Sequence, residues 1–290
     1  MRLNAYILAA DPAWIELSVG AYYHLVSRII VSFDRHARGW TGAPIATEAC
    51  MARLRAIDPD HKMRFVEGDF ARPGFTPMQN DTHQRQTALD VAGANADWVI
   101  QIDTDEFLPD AMALRQMLHL AEERQATAVE WPMRVLFRQL ANQRFLEVCS
   151  ASGSDRFEYP GPIAIRPGAR LTNARRCGGP FLRPVVAGDA ESLQISRKPE
   201  PGEIRVPLPA SQAIIHNSWG RDAASIKSKI ASWSHHEGWR SRLFYMLRWK
   251  PAPLFWRSMR DLHPFAKGLW PALKLCEGLP PSLQGGAGKS

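Results

Sequence analysis

Apolar runs and amphipathic stretches alternate along the first third of the chain. Residues 3–10 are apolar nearly throughout, the pattern of a strand buried on both faces. Asp11 and Pro12 then introduce a segment with Ile15, Val19 and Tyr22 on one helical face, so Asp11 is expected as the cap and Pro12 in the first turn. Residues 28–34 form a second strand that closes on Asp34. The spacing next predicts a helix from near Pro44 through Ile45, Ala49 and Ala52, then a short strand over 63–67. After a Pro/Gly-rich turn, Asn80 or Asp81 is expected to cap a helix carrying Arg85, Ala88 and Val91. Residues 97–103 are a fourth strand, and Pro109 and Asp110 open a helix with Leu114, Met117, Leu118 and Ala121 on its face. Strand–helix alternation of this kind implies βαβ units. The fold class is therefore α/β, with a mostly parallel central sheet and flanking helices.

The second half changes pattern. Residues 128–137 read as a strand interrupted by Pro132, which places an edge or a bulge there. Residues 150–210 are rich in Gly, Pro and Arg, with short strand candidates near 163–166, 183–187 and 193–197. They are expected to be an irregular β-rich extension carrying acceptor-binding loops. Residues 211–216 are a last short strand ending in His216. Asp222 is placed to cap a following helix with Ile226, Ile230 and Trp233 at helical spacing. From 237 to 277, Trp239, Leu243, Phe244, Leu247, Trp249, Phe255, Trp256 and Trp270 mix with many Arg and Lys and few acids. Such a segment either lies in an anionic membrane interface or packs its Trp faces on the core. The expected organisation is an α/β domain over 1–236 and a basic, Trp-rich helical tail over 237–290 whose last residues, 285–290, are disordered.

Composition narrows the classes. Of 290 residues, 45% are hydrophobic, enough for a sizeable core, and the net charge of +7 favours anionic partners. Basic residues concentrate in the Trp-rich segment without a recognised binding module, so nucleic acid is not expected as a partner. Four dispersed cysteines form no CxxC pair, which fits a reduced compartment. The early apolar run is too short for a secretory signal. The expected location is the cytoplasm, peripherally on the inner face of the cell membrane if the tail binds lipid.

The candidate chemistry sits where the fourth strand runs out: Asp103, Asp105 and Glu106 follow one another within four residues. Such acids are costly to desolvate without a cationic counterpart. Ligands of open α/β sheets bind at the carboxyl ends of strands, and Asp11 and Asp34 end two more strands of the same sheet. Two readings follow: a divalent metal (Mn2+ or Mg2+) carrying a phosphorylated ligand, or acids offsetting a helix dipole. Neither a G-x-G-x-x-G after the first strand nor a G-x-x-x-x-G-K-[ST] motif occurs, which argues against a dinucleotide-binding or P-loop site.

The stretch Trp98-Val-Ile-Gln-Ile-Asp-Thr-Asp-Glu-Phe-Leu108 resembles the D-x-D-E-F segment of GT-A-fold nucleotide-sugar glycosyltransferases, in particular the bacterial family-2-like group of surface polysaccharide synthesis. Asp34, Arg85 before the motif, and His216 followed by a basic helix extend the resemblance over about residues 1–235. It implies a hexosyltransferase using a nucleoside-diphosphate sugar and a glycan or lipid-linked acceptor. Asp103, Asp105 and His216 would hold the metal. Asp34 and the backbone at 9–11, with Asp11, would meet base and ribose; Arg85 and Lys227 would stand near the diphosphate, and Lys229 is a further helper. Inverting members use a carboxylate as base. Their Glu-Asp pair has no counterpart here, so Glu130, Glu106 and Asp155 are the candidates, with Glu130 preferred and the stereochemistry open. Trp131 and Trp219 are either sugar-stacking or core aromatics. Two alternatives are a non-catalytic scaffold that binds glycan or membrane, and a haloacid dehalogenase-like phosphatase, which also uses a D-x-D at a strand end.

Overall fold

A computed structural model describes residues 1–141, 144–234, 238–279 and 283. In chain order the elements are β1 (Leu3–Leu8), α1 (Ile15–Tyr22), β2 (Arg28–Asp34), α2 (Thr47–Ala56), β3 (Met63–Gly68), α3 (Pro77–Ala92), β4 (Trp98–Ile100), β5 (Glu106–Phe107) and α4 (Ala111–Glu123). There follow β6 (Ala128–Glu130), β7 (Met133–Gln139), β8 (Phe145–Cys149), β9 (Pro162–Ile165), β10 (Leu171–Asn173), β11 (Arg176–Cys177), β12 (Phe181–Val186), β13 (Glu203–Leu208), β14 (Ile214–His216) and α5 (Ala223–Ser232). The chain closes with α6 (Trp239–Phe244), a π-helical turn (Tyr245–Trp249), α7 (Ala252–Phe255) and β15 (Ala272–Leu275).

Eight strands form the central sheet in the order β13-β12-β6-β9-β4-β1-β2-β3. Every neighbouring pair is parallel except the two made by β9, which runs against both β4 and β6. The mostly parallel α/β class read from the sequence is the observed one. Residues 150–210 do more than decorate it: β9, β12 and β13 are full members of the sheet. Of the three strand candidates there, 193–197 is not a strand, and the edge strand is instead β13. A second, five-stranded sheet, β15-β8-β7-β14-β5, stands beside the carboxyl edge of the first. Pro132 marks the passage between the two, since β6 before it and β7 after it belong to different sheets. A proline lacks the N–H a ladder needs, so it suits the point where one ladder ends and another begins.

Local chemistry corrects several helix starts. Asp11 accepts the Ala13 N–H, and α1 begins only at Ile15, with Ile15, Val19 and Tyr22 fully buried. α2 starts at Thr47 and buries Cys50, Met51 and Leu54, whereas Ala49 and Ala52 face outward. Thr76, not Asn80 or Asp81, caps α3: its hydroxyl accepts the Gln79 N–H, the Gln79 side chain returns to the Thr76 N–H, and Pro77 follows at the first position. Asp110 caps α4 through the Ala113 N–H, leaving Pro109 outside the helix. Asp222 caps α5, accepting from Ala224 and Ser225.

The chain after 237 is helical only to Phe255, and β15 then pairs antiparallel with β8. Phe244, Trp249, Met259, Leu262, Trp270 and Leu273 share one buried cluster with Phe137, Val148, Trp219 and Ile226. Of the two fates offered to this segment, packing on the core holds for its inner face. The expected disordered end at 285–290 lies outside the described residues. Among those described, no helix is long and apolar enough to cross a membrane.

Candidate active site

β1, β2 and β4 are parallel neighbours, so the residues just past their ends share one edge. Asp11, Asp34 and Asp103 all lie there. From Ile100 the chain runs irregularly to β5, held by Gln101. That fully buried amide donates to the carbonyls of Pro162 (2.7 Å) and Arg175 (3.1 Å), while the Tyr6 hydroxyl donates to its oxygen.

Two arginines saturate Asp103. Arg85 forks it, Nη1 to Oδ1 and Nη2 to Oδ2, both at 2.9 Å, while its Nε donates to Asp81 at 2.7 Å. Arg175 Nη2 donates to Asp103 Oδ2 at 2.7 Å and to Glu106 Oε1 at 2.5 Å, and its Nη1 reaches Glu106 Oε2 at 3.0 Å. Glu106 also accepts the Asp103 N–H at 3.1 Å and is wholly buried. Burial alone would raise the Asp103 carboxyl; Arg85 and Arg175 reverse that and hold it below the usual carboxylate range.

Asp105 faces a second group of cations. Its Oδ2 receives Arg221 Nη2 at 2.6 Å and Lys229 Nζ at 3.2 Å, and His216 Nε2 stands at 3.7 Å. Arg221 Nη1 pairs with Asp11, and its Nε donates to the Asn217 carbonyl at 3.0 Å. His216 is set by register: β14 pairs with β5 so that His216 lies opposite Glu106. Burial works against the charged imidazole, but Asp105 outweighs it and the His216 pKa is raised. Burial likewise disfavours the Asp105 carboxylate, yet Lys229 and His216 hold its pKa far below the ordinary value. The edge thus gathers five carboxylates (Asp11, Asp81, Asp103, Asp105, Glu106) against Arg85, Arg175, Arg221, Lys229 and His216. With His216 protonated the charges balance.

Other sequence candidates stand elsewhere or are committed. Asp34 spends its oxygens on the backbone N–H groups of His36, Arg38 and Phe70. Glu130 is buried in an ion pair with Arg183 (2.7 Å) and shares no hydrogen bond with the Asp103 cluster among the described residues. Asp155 pairs with Lys274. Lys227 is exposed and lies over the Tyr245 ring at 5.7 Å; the lysine that reaches Asp105 is Lys229. Trp131 donates its indole N–H to the Gln212 carbonyl at 2.8 Å, and Trp219 sits in the second buried cluster, so both are core aromatics. Arg175 and Arg221 carry no role in the sequence reading. Arg175 lies in a Gly/Arg-rich stretch with no periodicity, and only the proximity of Arg221 to His216 hinted at it.

The metal implied by the resemblance can be tested against these atoms. Both Asp103 oxygens carry guanidinium hydrogens and Asp105 Oδ2 already meets three cationic groups. Among the described residues no three His, Cys, Asp or Glu side chains converge as a metal-holding group. As arranged, Asp103, Asp105 and His216 do not fit a metal, because both Asp103 oxygens and Asp105 Oδ2 already face arginine or lysine.

Neither the family models nor the curated proteins include a match to this chain. Similar solved structures include the galactosyltransferase LgtC in complex with donor and acceptor sugar analogs, at 13% identity over 79% of this chain and 93% of that one, with a TM-score of 0.39. A 4-diphosphocytidyl-2C-methyl-D-erythritol synthase from Anaerococcus prevotii matches at 11% identity over 73% and 90%, with a TM-score of 0.37. A mannose-6-phosphate isomerase from Helicobacter pylori matches at 12% identity over 58% and 61%, with a TM-score of 0.31. Likenesses at such scores carry no functional argument.

Proposed function

We propose that this chain is a glycosyltransferase that moves a sugar from a nucleoside-diphosphate donor to a glycan or lipid-linked acceptor, in the setting of bacterial surface polysaccharide synthesis. The observation that carries the reading is the convergence of Arg221, Lys229 and His216 on Asp105 at the carboxyl edge of a parallel sheet. A departing nucleoside diphosphate develops negative charge, and preformed cations aimed at that charge lower the barrier. Burial lowers the Arg221 guanidinium only to about 10, so it stays charged at neutral pH. Arg221 keeps one N–H on each of Nη1 and Nη2 beyond those that Asp11, Asp105 and the Asn217 carbonyl use, which leaves donors for phosphate oxygens. Asp103, Glu106, Arg85 and Arg175 serve as the frame that fixes the edge. The D-x-D-E-F resemblance supports a nucleoside-diphosphate sugar as the donor, although not the metal it implies.

Calorimetric titration with UDP and GDP tests it. Arg221→Ala and Lys229→Ala are each expected to weaken binding tenfold or more, about 1.4 kcal/mol per factor of ten. Unchanged affinity in both, with unchanged melting, overturns the reading. Because protein cations hold the edge, binding is expected to persist when a chelator is present. The committed oxygens of Asp103 and Glu106 also fit a scaffold that binds without turnover. Nucleotide binding with neither donor hydrolysis nor transfer would identify that case.

A further inference from the structure

Six of the nine large apolar side chains left exposed among the described residues fall between 239 and 255: Trp239, Leu243, Met246, Leu247, Leu254 and Phe255. Leu254 is 81% exposed, Trp239 67% and Leu247 64%. They are held outward by their neighbours. Phe244, Trp249 and Ala252 of the same segment point inward into the second buried cluster. The Trp249 indole donates to the Trp219 carbonyl at 2.9 Å, and the Arg138 guanidinium lies 3.6 Å from the centre of the Trp249 ring. One face of the segment is therefore anchored and the opposite face is apolar and uncovered by the described residues. Concentrated exposed apolar surface of this kind marks an interaction site.

Charge selects the occupant. From 238 to 260 the chain has six basic residues, Arg240, Arg242, Arg248, Lys250, Arg257 and Arg260, and no acid. All six are exposed. A second copy offering the same surface would bring like charge against like charge, so self-association through this face is disfavoured. An anionic bilayer meets both features: headgroups for the basic ring, acyl chains for the apolar side chains. No described helix is long enough to span, so the segment lies on the surface.

We propose that residues 239–257 form a docking face for an anionic lipid surface. It borders the candidate site, because Arg138, stacked over Trp249, donates to the Arg221 carbonyl at 3.2 Å. The proposal does not depend on the transferase reading.

Co-sedimentation of the full chain with vesicles tests it. Binding is expected to vesicles of mixed phosphatidylcholine and phosphatidylglycerol, to be at least tenfold weaker with phosphatidylcholine alone, and to fall as salt rises. Two triple variants separate the contributions: Leu247→Ser with Leu254→Ser and Phe255→Ser, and Arg242→Glu with Arg248→Glu and Lys250→Glu. These side chains are exposed, so both variants should melt as the parent does. Each is expected to lose at least tenfold in binding to anionic vesicles. Parent-like binding by either variant, or no anionic binding by the parent, overturns the proposal. So does light scattering that shows a dimer of the parent dissolved by the serine variant, since a second copy would then cover the face.

Discussion

Glu106 and Asp103 are within three residues of each other and Glu106 is sealed from water, an arrangement that like-charge repulsion and desolvation would forbid without Arg175. Arg175 is held in place by the Gln101 amide and by Gly161. A side chain at Gly161, where φ is +135°, would meet Arg175 Cγ at 3.1 Å. Arg175→Met is expected to destabilise the fold by about 3–5 kcal/mol in urea denaturation, because it strands a buried carboxylate. Adding Glu106→Gln should recover part of that loss, and an unaltered midpoint in the single variant would refute the pairing. His216 gives a pH dependence with a definite sign. Its folded pKa is raised above 6.5, so its stabilisation is complete below pH 6.5 and disappears as pH rises through the folded value. Nucleoside diphosphate affinity should weaken over the same rise and do so much less in His216→Gln, as calorimetry across that range would show. At this scale the D-x-D-E acids, Arg85 and His216 were legible in local sequence. Arg175 was not, because its partners Asp103 and Glu106 are 72 and 69 residues away and nothing periodic leads to it.

At the scale of elements, the long β-branched runs declared themselves: 28–34 was read with the boundaries β2 has, and β1, β3 and β4 were read in place. Of the second sheet, 211–216 was read as a strand ending in His216, where β14 ends, whereas β5, with two residues, is too short for any period and its pairing is imposed by tertiary contact. β14 delivers His216, and α5 delivers Lys229, so the cation cluster depends on how both are anchored. Asp222 is the anchor of α5, accepting N–H groups at 2.8 and 3.0 Å. Asp222→Ala is expected to cost about 1 kcal/mol of stability, read as a lower urea midpoint. It should also loosen Lys229 and so weaken nucleotide binding, while Asp222→Asn or Asp222→Ser, which cap as well, keep both. A drop in binding equal in all three variants would show that the charge, and not the cap, is what matters.

The two-part division at 236 and 237 invites removal of the tail, and the packing of the whole molecule argues for a different outcome. β15 completes the second sheet against β8, and Arg156 ties the core to the tail carbonyls of Leu269 and Gly268 at 3.0 and 2.7 Å. Phe244, Trp249, Met259, Leu262, Trp270 and Leu273 supply much of the cluster that covers Trp219 and Ile226. Burying one large apolar side chain contributes roughly 1.5–3 kcal/mol. Six such losses together match the whole net stability of an ordinary domain, about 5–15 kcal/mol. The chain from 239 to 273 thus carries the proposed docking face on one side and half of a core on the other, which explains why its sequence satisfied both an interfacial and a packed reading. A chain ended after residue 236 is expected to lose near-ultraviolet dichroism and bind a hydrophobic dye, whereas the exposed-face serine variant keeps the parent's melting. If the shortened chain melts cooperatively at the parent temperature, residues 237–290 are a separable tail and the second cluster is not required for folding. If it does not, only substitutions on the outer face test the proposed lipid docking, because truncation removes the fold along with the face.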